Sequence, residues 1–147
     1  MPAPMTPAAE TAPTAQPAPF RHTLRVYWED TDAGGVVYYA NFLKFFERAR
    51  TEWLRTLGFG QQALREDTGA LFVVTDARVR YLAPARLDDL LQVTVQLRTG
   101  GKASMTLVQQ AWRGDTLLAE GEIRVGCVDE GTFRPRRIPI EFMTATA

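Results

Sequence analysis

The chain holds one cysteine, one histidine, one serine and only two lysines, and each scarcity closes off chemistry. Cys127 alone allows no intramolecular disulfide and no multi-cysteine zinc site. His22 alone excludes every scheme that needs two imidazoles, including the HExxH metal-binding pattern. Ser104 is the only serine, so a Ser-His-Asp triad would need Ser104 beside His22. Long apolar runs are also missing; nothing approaches the ~20 residues of a membrane span. Neither sign of charge is in excess, with 17 Lys+Arg against 17 Asp+Glu. A general nucleic-acid binder usually shows a basic surplus or stripe, so nucleic acid is not an expected partner. What remains is chemistry carried by carboxylates and backbone groups, in a soluble cytoplasmic chain with no metal.

The 147 residues suit one domain. Residues 1–19 contain six Pro and six Ala, and Glu10 is their only charged side chain. So little bulky apolar surface cannot offset the entropy of ordering, which predicts a disordered tail. The folded domain is then 20–140, with 141–147 as a flexible C-terminus.

Hydrophobic periodicity orders the rest. Leu24, Val26 and Trp28 alternate with Arg25 and Tyr27 as a strand should. From about Tyr39 to Leu57 the period becomes helical, with Phe42, Phe46, Ala49, Trp53 and Leu57 on one stripe. Gly58 marks its stop. After a variable stretch the period of two returns. Leu71, Val73, Thr75, Ala77, Val79 and Tyr81 share one face of a strand. Leu91 to Leu97, Met105 to Trp112 and Leu117 to Cys127 follow, with Gly100-Gly101 and Gly114-Asp115 as turns. Short links predict four antiparallel strands in a meander. Helix and strands are segregated, so the class is α+β, one amphipathic helix across a curved antiparallel sheet. The sheet's free edge and face call for an oligomer.

The chemistry-bearing segment joins the first strand to the helix: Glu29-Asp30-Thr31-Asp32-Ala33-Gly34-Gly35-Val36-Val37-Tyr38-Tyr39. Gly34 and Gly35 allow a sharp turn and close backbone approach. The helix then begins with unpaired N–H groups and its positive dipole end beside the loop. A carboxylate next to preorganised N–H donors is what acyl transfer requires. The simpler reading is that the aspartates only cap the helix.

Residues Arg25 to Phe42, followed by Phe46-Glu47-Arg48-Ala49-Arg50-Thr51-Glu52 and by Tyr81-Leu82-Ala83-Pro84-Ala85-Arg86-Leu87-Asp88-Asp89, resemble the hotdog-fold acyl-CoA thioesterases. The similarity is greatest to the YbgC-type branch, associated with the Tol-Pal envelope system, and next to 4-hydroxybenzoyl-CoA thioesterase. It covers roughly 22–138. The resemblance implies a long central helix wrapped by an antiparallel sheet, a homodimer at minimum and commonly a homotetramer. It implies an acyl-CoA substrate, with an acyl carrier protein as another possible partner, and no cofactor beyond the CoA of the substrate. It makes Asp32 the catalytic carboxylate, as nucleophile or general base. The backbone N–H near Tyr39 becomes the oxyanion donor, with Gly34, Gly35 and Val37 shaping the substrate site. Relatives often carry His where Tyr39 stands; a backbone donor survives that change, a side-chain role does not.

Glu47 is the runner-up carboxylate, because another hotdog branch uses one on this helix; a structural ion pair with Arg48, Arg50 or a partner chain is the competing reading. Arg134, Arg136 and Arg137 beyond the last strand, and Arg98 and Lys102 around the Gly100-Gly101 turn, are candidates for the CoA phosphates. A non-catalytic acyl-CoA or acyl-carrier-protein binding module is the alternative function. A hotdog dehydratase fits less well, since the one histidine, His22, lies outside the loop.

Overall fold

The computed structural model describes residues 18–139 together with Phe142, Ala145 and Thr146. Most of the 1–19 tail and part of the 141–147 segment lie outside the described residues. Strand β1 (Phe20–Arg25) leads through a single 3-10 turn (Trp28–Asp30) and a loop into helix α1 (Asn41–Thr56). A short helix α2 (Gln61–Thr68) follows, then β2 (Ala70–Tyr81), β3 (Leu90–Gly100), β4 (Ser104–Arg113) and β5 (Thr116–Asp129). The five strands form one antiparallel sheet in the order β1-β3-β4-β5-β2.

The α+β class with one long helix on one sheet face is as the periodicity predicted. The meander holds only for β3-β4-β5. β2 does not pair with β3; it crosses to the far side and pairs with β5. The Leu82–Asp89 connection is too long for a hairpin and instead returns across the sheet end. The predicted face of β2 also changes phase. A register shift between Val74 and Asp76 leaves Thr75 as an extra residue, so side-chain parity reverses there. Phe72 and Val74 lie opposite Cys127 and Val125, whereas Ala77, Val79 and Tyr81 lie opposite Ile123, Gly121 and Ala119. The odd-numbered face is therefore right only beyond the bulge.

α1 buries Phe42, Phe45, Phe46, Ala49, Trp53 and Leu54 against the sheet. They share one core with Leu91, Val93 and Val95 of β3, Leu107 and Ala111 of β4, and Ala119 and Ile123 of β5. Gln109 is the polar exception, fully buried among them. Its Nε2 donates to the carbonyls of Phe46 (3.0 Å) and Thr94 (3.3 Å), and its Oε1 accepts from Arg50 (2.9 Å). It thereby ties helix to sheet with every polar atom satisfied. Phe142, assigned from sequence to a flexible terminus, is instead 2% exposed, with its ring against Trp53, Phe59 and Phe72. An apolar ring on that scale is worth more buried than loose.

Candidate active site

The loop between the 3-10 turn and α1 is a tight, backbone-bonded structure. The Asp30 carbonyl accepts the Tyr38 amide (3.0 Å) and the Asn41 Nδ2 (2.9 Å). Thr31 bridges Val37, and the Asp32 amide donates to the Val36 carbonyl at 2.9 Å. At the tip the Gly35 amide closes a turn on the Asp32 carbonyl at 3.0 Å, with Gly35 at φ 80°, where a side chain would be strained. The two aspartates have separate tasks. Asp30 is buried, and its Oδ2 accepts the Tyr27 amide at 2.8 Å, so it builds the turn. Asp32 is exposed; its Oδ1 accepts the Gly34 amide at 2.8 Å, and its Oδ2 has no protein partner among the described residues. A Cβ on residue 34 would stand 3.2 Å from that Oδ1, so glycine there leaves the carboxylate room.

Neither aspartate caps α1. Ala40 occupies the N-cap and no side chain bonds there, which removes the simple capping reading. The amides of Tyr39 and Ala40 have no hydrogen-bond acceptor among the described residues, while those of Asn41, Phe42 and Leu43 return to Tyr38, Tyr39 and Ala40 carbonyls. An exposed carboxylate and two open N–H groups thus share one short loop. The Tyr38 phenol is raised above its ordinary value, first by hydrogen bonding to Tyr39, and in smaller part by the charge of Asp32. Beside the loop, Val37, Tyr39, Phe42, Tyr81, Leu82 and Pro84 line an open cleft of about 310 Å³.

A second segment braces the loop. The Val37 amide donates to the Ala85 carbonyl at 2.8 Å, and Val36 bridges Arg86. That segment is clamped by Asp89, whose Oδ2 accepts the Arg86 amide (2.8 Å) and the Arg113 guanidinium (2.9 Å). Partial burial works to raise the Asp89 carboxyl, but the Arg86 and Arg113 contacts outweigh it and hold it below the usual carboxylate value. A carboxyl depressed by folding stabilises above its unfolded pKa, and that contribution is lost as pH falls through the folded value. The unfolding midpoint of the native chain should therefore fall more steeply below about pH 4 than that of Asp89→Asn. Parallel melting curves in that range would remove Asp89 from the clamp.

The structure brings Asp32, Gly34, Gly35, Val37 and Tyr39 together and separates the rest of the sequence-derived candidates. Glu47 is exposed farther along α1, bordering a different cavity of about 250 Å³ with Arg50, Phe72 and Val74. The ion pair with Arg48 or Arg50 does not form: Glu47 has no salt bridge among the described residues, and Arg50 bonds Gln109 instead. Burial lowers the Arg50 guanidinium from its ordinary value, with the Glu47 charge opposing.

The five basic candidates stand at the opposite end of the sheet, Arg134 exposed just beyond the end of β5. β3 starts beside Asp89 and ends at Gly100; Arg98 lies near that far end, paired with Glu122 at 2.9 Å. Lys102 follows in the turn, its carbonyl accepting the Ile138 amide at 2.7 Å. Arg136 donates to the Thr68 carbonyl (2.6 Å) and lies 3.6 Å from Asp129, a fastening between α2 and β5. Arg137 is exposed next to it.

His22 and Ser104 sit on β1 and β4 with β3 between them, so no triad forms. Among the described residues no cluster of three or more His, Cys, Asp or Glu could hold a metal ion. Burial raises the Cys127 thiol, consistent with an inert core residue. Tyr81 and Leu82 were not singled out from sequence as site residues. A strand-ending Tyr-Leu pair is the signal that marks them, and the return of β2 toward the α1 start makes it meaningful.

Residues 26–146 match the thioesterase-like superfamily. The chain belongs to that family. It is 45% identical over 126 residues to the acyl-CoA thioesterase YbgC of Haemophilus influenzae, covering 86% of this chain and 93% of that one. It is 48% identical over 121 residues to the acyl-CoA thioester hydrolase YbgC of Escherichia coli, covering 82% and 90%. A solved structure, a probable thioesterase from Bartonella henselae, superposes with a TM-score of 0.78 at 33% identity, over 83% of this chain and all of that one. The helix and five-stranded antiparallel sheet are thus the hotdog fold of this family.

Proposed function

We propose that this family member hydrolyses acyl-CoA thioesters to free CoA and a carboxylic acid, with Asp32 as its working carboxylate. The observation that carries this is the division of labour at Asp32. One oxygen is held by the Gly34 amide and the other is unpartnered, in the loop that also presents the Tyr39 and Ala40 amides. With the thioester carbonyl oxygen against the Tyr39 amide, negative charge developing on that oxygen meets a donor already in place. Asp32 then either attacks the carbonyl carbon, giving a mixed anhydride that water opens, or takes a proton from attacking water. On both routes the C–S bond breaks and CoA leaves as the thiolate. The acyl group lies in the apolar cleft beside Tyr39 and Tyr81. The names of the YbgC relatives support the reaction class.

We place the CoA phosphates against Arg98, Lys102, Arg136 and Arg137 of a neighbouring subunit, because within one protomer these side chains are at the wrong end. β2 offers the means of joining. It is a 12-residue edge strand with one side unpaired among the described residues, and Val74 is 48% exposed along it. Long uncovered edges of this kind invite a second strand. A homodimer is the minimal unit, and sedimentation is expected to show no monomer at assay concentration. A monomer that turns over at full rate would refute the shared site.

Thiol release from a panel of straight, branched and aromatic acyl-CoAs tests the main reading, with acyl-carrier-protein thioesters as a second carrier. Saturable turnover of at least one is expected. Tight binding without any release would favour the non-catalytic binding module.

A further inference from the structure

The two open amides of the site belong to peptide units whose carbonyls are held in different ways. A trans peptide is planar, so fixing its C=O fixes the opposite direction of its N–H. The Tyr38 carbonyl, across from the Tyr39 N–H, accepts the Asn41 amide at 2.8 Å. That bond is local to the start of α1. The Tyr39 carbonyl, across from the Ala40 N–H, has only a long contact of 3.3 Å to the Phe42 amide from the helix. Its short bond comes from elsewhere: the Tyr81 hydroxyl donates to it at 2.9 Å. Tyr81 ends β2, 42 residues further along the chain.

The Tyr81 side chain is itself positioned. Its ring meets Tyr39 edge-on at 5.8 Å and Phe42 at 5.7 Å, so the phenol cannot swing away without losing two aromatic contacts. We propose that Tyr81 is a positioning residue for thioester hydrolysis: its hydroxyl locks the Tyr39–Ala40 peptide so that the Ala40 amide stands as a second donor to the oxyanion beside that of Tyr39. This rests on the Asp32 reading of the site and extends it to a residue on the sheet. Partial burial, and then the neighbouring Tyr39, push the Tyr81 phenol above its ordinary value, so it stays a donor throughout the neutral range.

The role differs from a packing role in what it moves. Tyr81→Phe removes one oxygen and keeps the ring. Loss of peptide orientation weakens an interaction that strengthens as charge develops, so kcat should fall about tenfold with KM changed less than twofold. Unaltered kcat, or a raised KM with kcat unaltered, would overturn the proposal. A second variant covers the case in which Tyr81→Phe fails to fold. With 3,5-difluorotyrosine at position 81, the shape is kept and the phenol ionises nearer neutrality. A phenolate cannot donate, so kcat should acquire a new alkaline limb that the native enzyme lacks; absence of that limb also overturns it. Asp32→Asn run in parallel separates the two claims. An inactive Asp32→Asn with a fully active Tyr81→Phe rejects Tyr81 alone, whereas an active Asp32→Asn rejects the site reading beneath it.

Discussion

Asp32→Asn is expected to lower kcat for acyl-CoA hydrolysis about 10³-fold, with KM and the unfolding midpoint close to native. The amide oxygen of asparagine can still accept the Gly34 N–H that Asp32 Oδ1 accepts at 2.8 Å, so the loop keeps its turn. What disappears is a negative oxygen able to attack or to take a proton. Asp30→Asn is the matched control. Its carboxylate is buried on the Tyr27 amide and faces the turn, so its loss should show mainly as lowered stability. Hydrolysis by Asp32→Asn at near-native rate would reject the carboxylate assignment outright.

Phe46→Ala carries the largest expected change in stability, about 3–5 kcal/mol, read from urea or thermal unfolding. Phe46 is fully buried at the centre of α1, and its ring occupies the notch left on β5 where Gly121 has no side chain. A Cβ built at Gly121 would come within 2.9 Å of Phe46 Cε2. Gly121→Ala should therefore cost about 1–3 kcal/mol by overpacking. The two positions are coupled: Gly121→Ala with Phe46→Leu should cost less than the sum of the two alone. Strict additivity would mean that ring and notch do not meet.

The parts of this molecule that follow from local pattern were legible in its sequence. Phe42, Phe46, Ala49 and Trp53 recur at helical spacing because they face one sheet. The β5 alternation holds from Ala119 to Val125, whereas a register shift against β4 leaves Leu118 rather than Leu117 fully buried at its start. What was not legible depends on distant chain segments. The bulge at Thr75 exists because β2 pairs with β5 across a register shift, and no residue near it announces this. α2 buries only Leu64, too little to print a periodic pattern. The tie of Arg136 to the Thr68 carbonyl spans 68 residues, so nothing near Arg136 in the sequence announces it. The candidate loop was readable because its unusual residues, Asp32, Gly34 and Gly35, act within a single turn. Tyr81, which touches the same loop, was hidden by the intervening chain.

Putting donors on the main chain has an evolutionary consequence. The N–H of residue 39 is supplied by every amino acid except proline, and the Tyr39 side chain is 60% exposed. On the mechanism proposed above, mutations at this codon can therefore be sampled without dismantling the oxyanion donor. They alter instead the wall of the neighbouring cleft that Tyr39 shares with Val37, Phe42, Tyr81 and Leu82. On that proposal, selection for a new substrate has an adjustable side chain attached to a fixed main-chain donor.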